Sequence, residues 1–134
     1  PELLTLPPHG CLNIHPGLLP QYKGVDPVIH ALAAGEEQFG VTVHFQDQGF
    51  DTGPVITSGS IAIQEDDSLL TLNCRLFHYG IQLLGAALAP AGVIPPAIPQ
   101  KHADGYDSWP NAGLVAKVCK AGRKLLGTPY SLVK

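Results

Sequence analysis

The 134-residue chain contains no methionine and opens at Pro1, so it is read as the later part of a longer polypeptide whose own start lies upstream. Charge is also scarce. Only 14% of residues are Asp, Glu, Lys or Arg against 45% apolar ones, a balance that excludes a solvating or disordered segment and predicts a buried core. No apolar run approaches the length of a membrane span, and no basic stretch followed by an apolar one suggests a leader, so neither a membrane nor secretion is expected. A net charge of −3 leaves no electrostatic footprint for a phosphate backbone, and direct contact with nucleic acid is not expected. Three widely spaced cysteines, Cys11, Cys74 and Cys119, are too few and too scattered for a disulfide framework or a zinc site. Reduced thiols in a cytoplasmic protein are the expectation.

The length suits one domain with one core. Cys11-Leu-Asn-Ile-His15 reads as a short buried strand ended by Pro16, and a Pro- and Gly-rich loop follows to Val25. Asp26 and Pro27 predict an N-cap and first position for a helix through Ala34, stopped by Gly35. Gly40 to Gln46 alternates, with Val41, Val43 and Phe45 on one face and Thr42 and His44 on the other, the period of a half-buried strand. Pro54 to Ile63 predicts another strand. Glu65-Asp-Asp-Ser68 should cap a long helix from Leu69 to Ala89, on which Leu69, Leu72, Leu76, Leu83 and Leu84 fall near helical spacing. Residues 90–110 are Pro-rich and expected to be irregular, and Asn111 to Leu126 predicts a final amphipathic helix with Lys117, Lys120 and Lys124 on its wet side. This order implies an α/β fold, a mixed sheet flanked by helices. The whole of 1–134 is taken as one partial domain, with its core in 1–89 and a Pro-rich segment and terminal helix in 90–134.

Three polar stretches stand at strand ends or in turns. Asn13 and His15, two apart in a strand, project from one face and set an amide donor beside a titratable base. Acyl transfer needs that pair, one group to stabilise a developing oxyanion and the other to move a proton. Taken singly, each stretch has an ordinary structural reading: a histidine at a strand end, a Pro-Gly turn, an aspartate before glycine. Asp51-Thr-Gly53 alone also matches an aspartic protease half-site, which would need a dimer to pair two carboxylates.

Together, Asn13-Ile-His-Pro-Gly-Leu-Leu-Pro-Gln-Tyr-Lys-Gly24, Gly40-Val-Thr-Val-His-Phe45 and Asp51-Thr-Gly-Pro54 resemble the catalytic core of the 10-formyltetrahydrofolate-dependent formyltransferases. The likeness runs from about Pro1 to Ala89, and more loosely through Gly105–Pro110 and Gly122–Leu125. It implies the second half of a Rossmann-like catalytic domain whose amino-terminal half lies outside this chain. By the same resemblance, Asn13 would donate to the formyl oxygen and His15 would move a proton between the amine and the departing folate nitrogen. Asp51 would orient His15 and favour its charged form. Asp47, Gln48, Gly49 and Phe50 would offer backbone groups to the pterin of 10-formyltetrahydrofolate. Leu18, Leu19 and Pro20, on to Gly24, would close over the formyl group and acceptor. No metal is required, and His9, His30, His44, His78 and His102 are read as structural or surface residues.

Gly17 departs from the family, where many members carry Ser, and should change the stiffness of the loop. The implied activity belongs to one-carbon metabolism and biosynthesis: formyl transfer to a small amine or amino sugar in preference to methionyl-tRNA. A formyltetrahydrofolate hydrolase would use the same three residues, and half a cleft could equally be a non-catalytic fragment. Oligomeric state, including a homodimer, is left open, because the long apolar helix could serve a core or an interface.

Overall fold

The computed structural model describes residues 2–88, 93, 96–101 and 105–127. The elements in order are α1 (Glu2–Thr5), β1 (Leu12–His15), α2 (Pro27–Ala34), β2 (Gln38–Phe45), β3 (Val55–Ala62), α3 (Leu69–Leu88) and α4 (Ala112–Lys120). The expected sheet with helices packed on it is present, an α/β fold. Its three strands lie in the order β1-β2-β3 and pair antiparallel, while among the described residues parallel pairing is confined to the isolated bridges Gly24–Asp107 and Ser68–Lys124.

β2 is the centre of this sheet, and that corrects the half-buried strand expected there. The period-two alternation holds, yet Phe39 to His44 are all buried, because a neighbouring strand lies on each edge, a helix covers one face and the Pro16–Val25 loop covers the other. Phe39 and Val41 join Val28, Ile29, Leu32, Leu72, Leu76 and Val118 in one core. Each such side chain contributes about 1.5–3 kcal/mol when fully buried.

α3 presents Leu69, Leu72, Leu76, Gly80 and Leu83 as one stripe toward that core, and Leu84 is half-buried beside it. Its expected last residue, Ala89, lies outside the described residues. The acidic run ahead of it acts through Ser68, whose Oγ accepts from the Thr71 amide at 3.1 Å while Thr71 Oγ1 accepts from the Ser68 amide at 2.7 Å. Thr71 thus fills the reciprocal place that Glu or Gln usually takes in a capping box. Asp67 turns aside to pair with Arg75.

Two expected helix ends differ. Asp26 precedes α2 as foreseen, but its left-handed backbone, φ 48°, leaves it with no side-chain cap bond, so Pro27 starts the helix without help from the carboxylate. α4 stops at Lys120 rather than Leu126, because Gly122 takes φ 76° and turns the chain back. Lys124 is therefore no helix residue; its backbone pairs with Ser68 beside the start of α3. At the other end of α4, Asn111 caps it by accepting from Leu114 N at 2.9 Å.

Of residues 90–110, those described form no helix or strand, although Ile98 makes an antiparallel bridge with Val55. All three cysteines are free thiols. Among the described residues no helix is long and apolar enough to cross a membrane.

α3 crosses the sheet closely at Gly80, where an added Cβ would collide with Ile14 and meet Val41 Cγ2 at 3.0 Å. Gly80→Val should therefore lower stability by about 1–3 kcal/mol through overpacking. A urea denaturation midpoint unchanged from that of the parent sequence would show that α3 is not seated on β1 as described.

Candidate functional site

Antiparallel pairing sets Asn13 opposite His44 and His15 opposite Thr42. Residues directly opposite share a face, and so do residues two apart, which gathers Asn13, His15, Thr42 and His44 on one side of the sheet. Ile14, Val41 and Val43 occupy the other side and face the core. The polar face is dry: His15 is 4%, Thr42 0% and His44 1% exposed.

The loop between β1 and α2 makes it so. Thr42 Oγ1 donates to the Gly17 carbonyl at 2.7 Å and accepts from Leu19 N at 3.1 Å, which fastens the loop to β2. Leu18 lies over Gly40, where an added Cβ would strike it. Leu19 and Pro20 follow, half-buried and joined by a cis peptide bond. Gly17 does not take the left-handed backbone that glycine adopts freely. Space is tight there, since an added Cβ would sit 2.8 Å from His15 Nε2 and 2.9 Å from the Tyr22 carbonyl.

His15 Nε2 lies 2.7 Å from the Tyr22 carbonyl oxygen. That oxygen can only accept, so Nε2 carries a proton. Nδ1 faces Asp51 Oδ1 at 3.5 Å, and the other carboxylate oxygen, Oδ2, accepts from Gly24 N at 3.0 Å. Asp51 and Tyr22 both hold left-handed backbone, φ 55° and 51°. Such conformations cost about 1–3 kcal/mol each and persist where the surroundings over-determine them. Gly24 is itself clamped, because its φ is 121° and an added Cβ would collide with the Asp107 carbonyl. Asp107 bonds the backbone on both sides, its oxygen accepting from Val25 N and its amide donating to the Lys23 oxygen, each at 2.7 Å.

His44 was expected to be structural or a surface residue, and its position corrects the second alternative. Its Nδ1 donates to the Phe45 carbonyl at 2.7 Å, so in the neutral ring Nε2 is an acceptor, and Asn13 Nδ2 stands 3.2 Å away to donate to it. Burial pushes the His44 pKa below the usual imidazole value; the Phe45 carbonyl and Asp51 oppose that shift, and His15 adds to it. A neutral His44 thus fixes which way the Asn13 amide points. At 3.8 Å, Asp51 Oδ1 is too far to bond His44 Nε2.

The turn leading to Asp51 is closed from within. Asp47 Oδ1 accepts from Gly49 N at 3.0 Å and from Thr52 Oγ1 at 2.7 Å, and Gly53 packs where a Cβ would meet the Phe45 carbonyl. Asp47, Gln48, Gly49 and Phe50 are exposed, and the Phe50 ring stands edge-on to Tyr106 with centroids 6.0 Å apart.

Of the residues singled out in the sequence, Asn13, His15, Asp51 and Gly24 come together. Leu18, Leu19 and Pro20 lie over β2 at the edge of the cluster, and Asp47–Phe50 form an open rim. Thr42, His44 and the Tyr22 carbonyl lie in stretches that the sequence singled out, but no role at the cluster was foreseen for them. The sequence put Thr42 and His44 on one strand face, and the β1–β2 register adds that they stand opposite His15 and Asn13. His9 and His78 are exposed, and His30 is half-buried 3.5 Å from Asp107. His102 lies outside the described residues. Asp51 meets two imidazoles and a backbone amide, which is not the shared-proton carboxylate pair of an aspartic protease.

Residues 1–88 match the family described as Formyl transferase. A methionyl-tRNA formyltransferase of Pelotomaculum thermopropionicum is 38% identical over 120 residues, covering 81% of this chain and 38% of that protein. Among solved structures, an N-formyltransferase from Helicobacter canadensis in complex with folinic acid and dTDP-3-aminofucose superposes with a TM-score of 0.65 and 29% identity, over 72% of this chain and 37% of that one. Glycinamide ribonucleotide transformylase 1 from Symbiobacterium toebii gives 0.62 and 31%, over 75% and 49%. The chain therefore spans well under half of the length of the curated relative and less than two thirds of either structure.

A buried neutral His44 binds its proton less readily in the folded than in the unfolded chain. Stability should then fall as pH drops below the unfolded imidazole value of 6.5, because the unfolded state takes up the proton first. Urea midpoints between pH 7.5 and 5 should decline less steeply in His44→Gln; parallel curves would mean that His44 is not held neutral.

Proposed function

The chain belongs to the formyl transferase family, and on that premise we propose that the protein of which it is part transfers a formyl group from 10-formyltetrahydrofolate to an amine, with Asn13, His15 and Asp51 as the reacting centre. The observation that supports this reading is the convergence of the three side chains at one face of the sheet: an anchored amide, a buried imidazole with Nε2 held by a carbonyl, and a half-buried carboxylate facing its Nδ1.

Asn13 keeps one amide proton for His44 and has a second for an oxyanion. Attack of the amine nitrogen on the formyl carbon would put charge on the formyl oxygen, which that donor would stabilise. Collapse breaks the bond to the folate nitrogen, which takes a proton as the amine gives one up. His15 would move it, its Nε2 leaving the Tyr22 carbonyl for the reacting nitrogens while Asp51 orients the ring through Nδ1. The donor's flat ring would lie against the exposed Asp47–Phe50 rim, whose conformation is already set by the Asp47 carboxylate. Leu18, Leu19 and Pro20 would face the formyl group and acceptor, and Gly24 acts through the amide it gives to Asp51. The cleft's other wall would come from chain upstream of these residues.

The acceptor reading that follows from the sequence is a small amine or amino sugar, supported by solved relatives named for a sugar and for glycinamide ribonucleotide. A specific observation favours a second acceptor, the amino group of methionyl-tRNA: curated relatives carrying that name reach 38% identity over 120 residues and 44% over 87. Net charge of the present segment does not weigh against it, since the segment covers about a third of those proteins. Water as acceptor would make the enzyme a hydrolase.

The test is release of tetrahydrofolate from 10-formyltetrahydrofolate by the protein with its upstream half present, with and without nucleotide amino sugars, glycinamide ribonucleotide and methionyl-tRNA. Release should require one of these amines. His15→Ala and Asn13→Ala should each slow it on the order of 10²- to 10⁴-fold. Release without any amine would make it a hydrolase, and no release would end the formyl-transfer reading.

A further inference from the structure

The segment after β3 and α3 contributes a side chain to the polar cluster from far along the sequence. Gln100 Nε2 donates to two carbonyls of one turn, those of Asp51 at 2.9 Å and Gly53 at 2.7 Å. Resting on the reading of Asp51 as the carboxylate that orients His15, we propose that Gln100 is a positioning residue: it locks the Asp51–Gly53 backbone and so aims the Asp51 carboxylate at His15.

Asp51 holds a left-handed backbone without being glycine, a conformation that L residues leave when they can. Relaxation to negative φ would swing the Cα–Cβ bond and carry the carboxylate away from His15 Nδ1, now 3.5 Å distant. Gly24 N holds the carboxylate itself, and Asp47 closes the turn at Gly49 and Thr52. Gln100 grips the Asp51 carbonyl, where rotation would show first. Its own place is set by the Ile98–Val55 bridge, with both bonds 2.8 Å, and by Pro99 between them, which restricts the chain.

The rest of the Gln100 carboxamide argues for position over stability. Its Oε1 is buried and meets no donor among the described residues. An unpaired buried acceptor offsets what two good hydrogen bonds contribute, so a side chain kept only to stabilise the turn would be poorly chosen. A donor of two protons at fixed separation is what two carbonyls of one turn require, and a carboxamide nitrogen supplies it.

The test uses the protein with its upstream half, ring-15N-labelled histidine and the variants Gln100→Leu, Gln100→Glu and Gln100→Lys, beside Asp51→Ala. Leu and Glu remove the donor, while Lys restores one that can meet both carbonyls. For Leu and Glu, kcat should fall on the order of 10- to 100-fold, as expected of a reacting group moved by a fraction of its reach. KM for the formyl donor should change less than about threefold, and the His15 ring resonances should move the same way as in Asp51→Ala. Gln100→Lys should recover most of both. Unmoved His15 resonances in the donorless variants, or equal losses in kcat and KM with no recovery by Lys, would overturn the assignment. Should Gln100→Leu fail to fold, the contrast between Glu and Lys decides by the same readings. Should the unsubstituted protein transfer no formyl group, the functional reading falls alone, and movement or stillness of the His15 resonances still settles what Gln100 does.

Discussion

Four residue pairs, from Leu12 opposite Phe45 to His15 opposite Thr42, fix β1 against β2. A slip of one residue would turn Asn13 and His15 into the core and Ile14 out of it. The slip is prevented from both sides of the sheet. On one, Ile14 and Val41 are pressed against α3 at Gly80. On the other, the Thr42 hydroxyl holds two backbone groups of the Gly17–Leu19 loop. The apolar packing that stabilises the fold and the polar contacts that arrange the cluster thus enforce one register.

Burial then decides protonation and direction within the cluster. His44 is dry and neutral, and its one donated bond, to Phe45, dictates that its other nitrogen accepts from Asn13. The amide is thereby oriented by a ring rather than by water. His15 is held differently, between a carbonyl and a carboxylate supplied by two residues in left-handed backbone. Two histidines on one sheet face, with ring centroids 6.3 Å apart, have different partners because their neighbours differ.

What the sequence disclosed was local. The period-two pattern from Gly40, the Asn-x-His spacing, the stripe from Leu69 and the stop at Gly35 all follow from short-range geometry, and each is found. What it hid depends on partners distant in the chain. β2 is buried on both faces because β1, β3, a helix and a loop surround it, and no pattern within eight residues records that. Lys124 left its expected helix because Gly122 turned the chain and Ser68 offered a pairing edge. Asp26 did not cap because its backbone was already committed to the loop. Gln100 reaches Asp51 across 49 positions and carries no motif of its own.

The Gly24–Asp107 bridge ties the loop beside the polar cluster to a segment far along the sequence. The polar cluster is assembled from β1, the loop ending at Gly24, the end of β2, the Asp51 turn, Gln100 and the backbone at Asp107, so its restraints come from segments distant in sequence. A partly folded molecule would hold the sheet without the clamp, and with it an imidazole and a carboxylate not yet facing one another. The facing of those two groups therefore depends on contacts remote in sequence as well as on the sheet itself.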